Sequence, residues 1–149
     1  MKKIKTVLTA IVMLFASSTF ALGGPETATP KVKAAFANDF SKASLVSWEK
    51  SNDFYFASFT LNNTKVDAAY NEAGELLGTS RKISAEQMPL SISMAITDRY
   101  EGCELEKNAI ELTYEGLTRY YITIKSKNQL IKLKCFSDGN IEVESKTKV

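Results

Sequence analysis

Histidine is absent from all 149 residues. That removes the side chain that most often serves as a general base near neutral pH, activates a catalytic Ser or Cys, or ligates a transition metal. Cysteine is limited to Cys103 and Cys135, tryptophan to Trp48, and proline to three positions. Neither a disulfide-dense scaffold nor a Pro-rich linker is therefore present. A dominant charge is missing as well: 19 Lys and Arg are offset by 17 Asp and Glu. No basic run tracks a helix face, which argues against nucleic acid as a partner. Apart from one N-terminal run, no apolar segment approaches the roughly 20 residues needed to cross a bilayer.

The N-terminal run reads as a cleavable export signal. Met1-Lys2-Lys3-Ile4-Lys5 is a basic start, residues 7–15 are apolar, and Thr19-Phe20-Ala21 puts small side chains at the −3 and −1 positions of a cut after Ala21. The expected signal is residues 1–21, and the expected location is the periplasm or outside the cell, with no membrane attachment after cleavage. Neither Cys lies near the cut, so a lipid-anchored Cys there is excluded. Losing Lys2, Lys3 and Lys5 leaves 16 basic and 17 acidic residues, net −1. Residues 22–29 are small, polar and Pro-punctuated and are expected to form a disordered lead-in. The remaining chain suffices for one domain with a real core.

That domain, residues 30–145, reads as a duplication. Laid on one another without gaps, Tyr55-Phe56-Ala57-Ser58-Phe59 falls on Tyr120-Tyr121-Ile122-Thr123-Ile124. At the same offset Asn63 meets Asn128, Val66 meets Ile131, Gly74 meets Gly139 and Leu76 meets Ile141. The repeats are expected at about 30–83 and 84–145, with a tail at 146–149. In the first, Pro30 opens a helix where its missing N–H costs nothing, and Val32, Ala35, Phe36 and Phe40 share one face. Strands are expected at about 45–50, 53–61, 65–71 and 75–82. In the second, Ser84 with Gln87 forms a capping box, and Leu90, Met94, Ile96 and Tyr100 supply the apolar positions of a helix ended by Gly102. Strands are expected at about 103–114, 117–126, 129–136 and 140–145. Asn62-Asn63, Glu72-Ala73-Gly74, Glu115-Gly116, Lys127-Asn128 and Asp138-Gly139 supply the turns. The predicted fold is α+β, two helix-plus-four-strand units with the helices on one face of the antiparallel sheet.

Alternation assigns the two faces. Tyr55, Ala57, Phe59, Val66, Ala68 and Tyr70, and in the second half Tyr120, Ile122, Ile124, Ile131, Leu133 and Cys135, are expected to face the helices. The opposite face then carries Phe54, Phe56, Ser58 and Thr60, with Tyr121, Thr123 and Phe136. A sheet with helices on one side leaves its other side to water or to a partner. Phe54, Phe56, Tyr121 and Phe136 are thus the candidate binding surface, unless the halves pack on each other or a loop covers them. Trp48 is expected to pack against its helix, a ligand platform being the alternative.

These residues resemble a known family, the PepSY-like, beta-lactamase-inhibitor-like exported domains. The resemblance rests on Ala43-x-x-Val46-x-Trp48, Tyr55-x-Ala57-x-Phe59, Ala69-Tyr70-Asn71-x-x-Gly74-Glu75-Leu76, and Ile83 leading to Met88-Pro89. It spans residues 30–145, and the family more often has Leu-Pro at the last motif. It implies tandem helix-plus-four-strand units, export, and loosely a binding or inhibitory role. Fold similarity alone does not confer function.

No catalytic set emerges. Glu104 and Glu106 share a strand face but read as a solvated edge. Glu72-Ala73-Gly74-Glu75 and Ser137-Asp138-Gly139 lack the alternating oxygen ligands of a calcium loop and read as hairpin turns. No cofactor or metal is implied. The expected register places Cys135 opposite Tyr120 and Tyr120 opposite Glu111, which leaves Cys103 too distant for a disulfide, whose Cα atoms must lie within about 7 Å. The sequence therefore predicts a non-enzymatic, exported binding module for a protein or peptide. The alternative is an inhibitor of an exported peptidase or beta-lactamase.

Overall fold

The computed structural model describes residues 28–149. The expected signal and residues 22–27 lie outside them. Ala28 and Thr29, assigned above to a disordered lead-in, are part of the folded chain: Ala28 is buried in a core cluster, and Thr29 caps the first helix. The described chain is α+β, with two α-helices, one short 3-10 turn, and nine strands in antiparallel pairings. It divides into two compact units, one ending at Leu77 and one starting at Gly78.

The first unit contains α1 (Pro30–Asp39), β1 (Ser44–Ser51), β2 (Phe54–Leu61) and β3 (Thr64–Asn71). Pro30 sits in the first turn of α1, and the Thr29 hydroxyl accepts the Val32 N–H at 3.3 Å, satisfying one of the helix's unpaired donors. Leu61 pairs with Thr64 across Asn62-Asn63, and both asparagines take positive φ, as a two-residue hairpin of this hand requires. Val32 and Phe36 from α1 pack on Tyr55, Ala57, Phe59, Ala68 and Tyr70, with Trp48 against the cluster. The Phe36 ring meets Trp48 edge-on at 5.2 Å and Phe59 at 4.9 Å, so Trp48, itself half-buried, packs against the helix at the margin of the core. Tyr70 donates its hydroxyl proton to Asp39 Oδ2 at 2.9 Å, tying β3 to the end of α1.

The second unit holds β4 (Leu76–Ser84, of which 78–84 belong here), the 3-10 turn Ala85–Gln87 and α2 (Leu90–Arg99). They are followed by β5 (Glu104–Leu105), β6 (Asn108–Tyr114), β7 (Leu117–Ser126), β8 (Gln129–Phe136) and β9 (Ile141–Lys148). Its strands run β4-β6-β7-β8-β9, with β5 on β7. Three sequence expectations are corrected here. The capping box of Ser84 and Gln87 is real, but it caps the 3-10 turn; α2 starts only after Pro89. Ile92 and Ile96 form the buried stripe of α2, whereas Leu90 and Met94 point outward, 74% and 58% exposed. The stretch 103–114 is not one strand. Glu104 and Leu105 pair with Lys125 and Ile124 of β7, and the chain steps at Glu106-Lys107 before β6 pairs on its other side with β4. The Lys107 carbonyl at that step accepts the Ala85 N–H at 2.9 Å.

The core of this unit lies between α2 and one sheet face. Ile92, Ile122, Ile124, Leu133 and Cys135 are almost wholly buried there, with Ile83, Met88, Ala109, Tyr120 and Ile131 around them. Each fully buried aliphatic side chain contributes about 1.5–3 kcal/mol relative to exposure. All twelve positions assigned by alternation to the helix side fall in these two clusters, Val66 at the margin. The register placing Cys135 opposite Tyr120 and Tyr120 opposite Glu111 is also present.

Candidate functional site: the helix-free sheet face

Side chains that alternate with the core positions occupy the face without helices. In the first unit these include Phe54, Phe56 and Ser58 on β2, with Ala69 and Asp67 opposite Phe56 and Ser58 on β3. Phe56 is buried and Phe54 is half-buried, and neither belongs to the cluster under α1. The Ser58 hydroxyl donates to Asp67 Oδ1. Burial pushes the Asp67 carboxyl above its usual range, against the opposing pull of that hydrogen bond and of Lys65.

In the second unit the face has a floor and a rim. Leu112, Tyr114, Tyr121 and Ser80 are buried on it, a second apolar layer outside the helix core. Gly78 pairs with Tyr114, and a Cβ on Gly78 would come within 3.3 Å of the Tyr114 ring, so the ring lies over the bare backbone of β4. Phe136 is half-buried, and Leu117, opposite Tyr114, is 59% exposed. Lys134 stands 4.9 Å from the Phe136 ring centroid and Lys132 stands 5.4 Å from that of Tyr121. Both ammonium groups are held by carboxylates of β9, Lys134 by Glu142 at 2.8 Å and Lys132 by Glu144 at 3.1 Å. Burial and then Glu144 push the Tyr121 phenol up to about 12, with Arg119 opposing the rise.

Of the four residues singled out from sequence, then, Phe56 and Tyr121 are floor residues, and Phe54 and Phe136 are the accessible ones. Arg119 was missed. It lies between Leu117 and Tyr121 on β7, opposite Leu112 on β6 and Phe136 on β8, and its Nε and Nη1 are buried without a hydrogen-bond partner. Alternation could have placed it, since it shares the parity of Tyr121, but a lone arginine on a sheet carries no sequence signal of burial.

The other candidates remain apart. Glu104 lies opposite Lys125, and Glu106 sits in the step before β6; both are exposed. Among the described residues no group of three or more Cys, Asp or Glu converges as a metal site would require. The two cysteines are free. Cys135 is level with Tyr120 on β7 and Glu104, next to Cys103, is level with Lys125, five residues along, or about 17 Å. Burial pushes the Cys135 thiol up to about 11. At pH 8 its thiolate fraction is then about 100-fold below that of a thiol with an ordinary pKa near 9, and only the thiolate reacts. Iodoacetamide should accordingly label Cys103 alone in the native chain, and Cys135 only in denaturant. Intact mass without reduction that showed a Cys103–Cys135 bond would contradict the register.

The sequence matches no family model. It matches no curated protein. The fold is nevertheless shared with solved structures. A BLIP-like protein from Bacteroides fragilis NCTC 9343 superposes with a TM-score of 0.68 at 15% identity, over 85% of this chain and 89% of that one. A DUF2874 family protein from Bacteroides ovatus ATCC 8483 gives 0.69 at 17%, over 84% and 90%. A candidate periplasmic protein from Bacteroides eggerthii DSM 20697 gives 0.69 at 14%, over 83% and 91%. At such identity the likeness is one of fold.

Proposed function

We propose that this chain is an exported, non-enzymatic binding module that engages a protein or peptide through the helix-free sheet face. The observation that carries the reading is the distribution of apolar side chains. The helix side of each unit is filled by its own helix. The other side of each unit keeps apolar side chains within reach: Phe54 beside buried Phe56 in the first, and Phe136 and Leu117 above a floor that includes Tyr121 in the second. Accessible aromatics over a rigid apolar base are the usual anchors of a protein interface. The basic and apolar N-terminus supports export, to the periplasm or beyond it, and a periplasmic candidate of the same fold agrees with that location. The motifs around Trp48 and Tyr70 to Gly74 support a PepSY-like assignment, and the constant offset between residues 55–76 and 120–141 supports an origin by duplication.

A second reading is inhibition of an exported enzyme, with the same face or the 72–74 turn plugging an active site. The likeness to a BLIP-like protein favours it. The first reading is tested by capture from an exported fraction with wild-type chain and with Phe54→Ser/Phe136→Ser, the second by assaying exported peptidases and beta-lactamases with the purified chain.

A further inference from the structure

Arg119 is the one residue of the described chain with buried side-chain nitrogens that lack a partner. A guanidinium is always charged and carries only donors. Burying its N–H groups without acceptors is costly, and proteins rarely leave such groups unmatched. The carboxylates of β9 are engaged, and Glu115 lies against the Tyr114 phenol. Glu142 is taken by Lys134 and Glu144 by Lys132, while Lys125 lies opposite Glu104. Arg119 is not sealed in: the residue as a whole is half-buried, and Leu117 and Phe136 beside it are open to solvent. It stands level with Leu112 of the floor on one side and with Phe136 on the other.

We propose that Arg119 is the anchor for a partner's carboxylate, so that the module selects acidic protein segments carrying an apolar residue beside an Asp or Glu. This rests on the helix-free face being the binding surface, and adds to it the chemistry of the occupant. A small inorganic anion would satisfy Arg119 but leave Phe136 and Leu117 uncovered; an acidic peptide satisfies both.

The test is selection of a phage-displayed random peptide library on the immobilised chain lacking residues 1–21. Wild type is expected to enrich peptides with Asp or Glu next to an apolar residue. Arg119→Gln should lose that acidic preference and bind the selected peptides on the order of tenfold or more weakly, as expected for a charged hydrogen bond. The midpoint of thermal unfolding of Arg119→Gln and Arg119→Met should stay at or above that of wild type, because an uncompensated buried charge has been removed. A preference for acids that persists in Arg119→Gln overturns the proposal, as does a large drop in midpoint for both variants, which would make Arg119 a structural residue. Peptides without acids whose binding is lost in Phe136→Ser would overturn the role of Arg119 while leaving the face as the binding surface. Recovery of no peptide, or of peptides indifferent to Phe136→Ser, would overturn both.

Discussion

Adding one methyl group at Gly78 is expected to lower the free energy of unfolding by about 3 kcal/mol, a large share of the roughly 5–15 kcal/mol of a typical domain. The cause is crowding by backbone. An alanine Cβ at this position would stand 2.5 Å from the Thr113 carbonyl oxygen and 3.3 Å from the Cα and ring of Tyr114. None of these is the far end of a flexible chain. The Thr113 and Tyr114 backbone belongs to β6, which is hydrogen-bonded to β4 in the register that pairs Thr79 with Thr113 and Gly78 with Tyr114. Relief therefore requires β4 and β6 to part locally, or the Tyr114 ring to leave the floor. Gly116→Ala is the control. Its φ of +75° is strained for alanine, yet nothing lies within 4 Å of the added methyl, so about 1 kcal/mol is expected from the backbone alone. Urea unfolding of the two variants separates the causes. A Gly78→Ala change within 0.5 kcal/mol of wild type, on the order of an ordinary surface substitution, would mean that β6 does not approach β4 as described.

The largest functional effect is expected from Phe54→Ser combined with Phe136→Ser. Anchoring aromatics at protein interfaces typically cost about 2 kcal/mol or more each on truncation, so the pair should weaken partner binding on the order of 1,000-fold. Stability should change little by comparison, since both side chains are half-buried and lie outside the two helix cores. Leu90→Ser/Met94→Ser supplies the contrast. It removes the exposed apolar pair of α2, 74% and 58% accessible, and should leave binding intact. Capture from the exported fraction that survived the first double change and failed with the second would move the binding surface to α2.

Much of this architecture was legible in the sequence because strand alternation is a strong signal wherever one face is buried. Tyr120-x-Ile122-x-Ile124 and Ile131-x-Leu133-x-Cys135 fix which residues meet α2, and the two-residue turns between them fix the pairing. The helix boundaries were less legible. Ser84 and Gln87 form the same capping box whether three residues or ten follow. Here Pro89 breaks the run, and the helix phase set from Leu90 pointed to Met94 instead of Ile92. The step at Glu106-Lys107 carries no turn residue and depends on β5 and β6 both reaching β7, a tertiary choice that local pattern does not encode. The site was half legible. Parity placed Phe54, Phe56, Tyr121 and Phe136 on the right face, but which were floor and which rim depends on neighbours across strands. The neighbours are Gly78 beneath Tyr114, and lysines 132 and 134 over the rings of Tyr121 and Phe136. The unmatched nitrogens of Arg119 emerge only once the acids around it are seen to be taken.

Site-specific photo-crosslinking tests most directly whether the helix-free face is the binding surface. A benzoylphenylalanine would replace Phe136 in one chain and Met94 in another, and each would be irradiated in the exported fraction. A discrete crosslinked partner is expected from position 136 and none from position 94. A partner crosslinked from position 94 and not from position 136 would contradict that expectation.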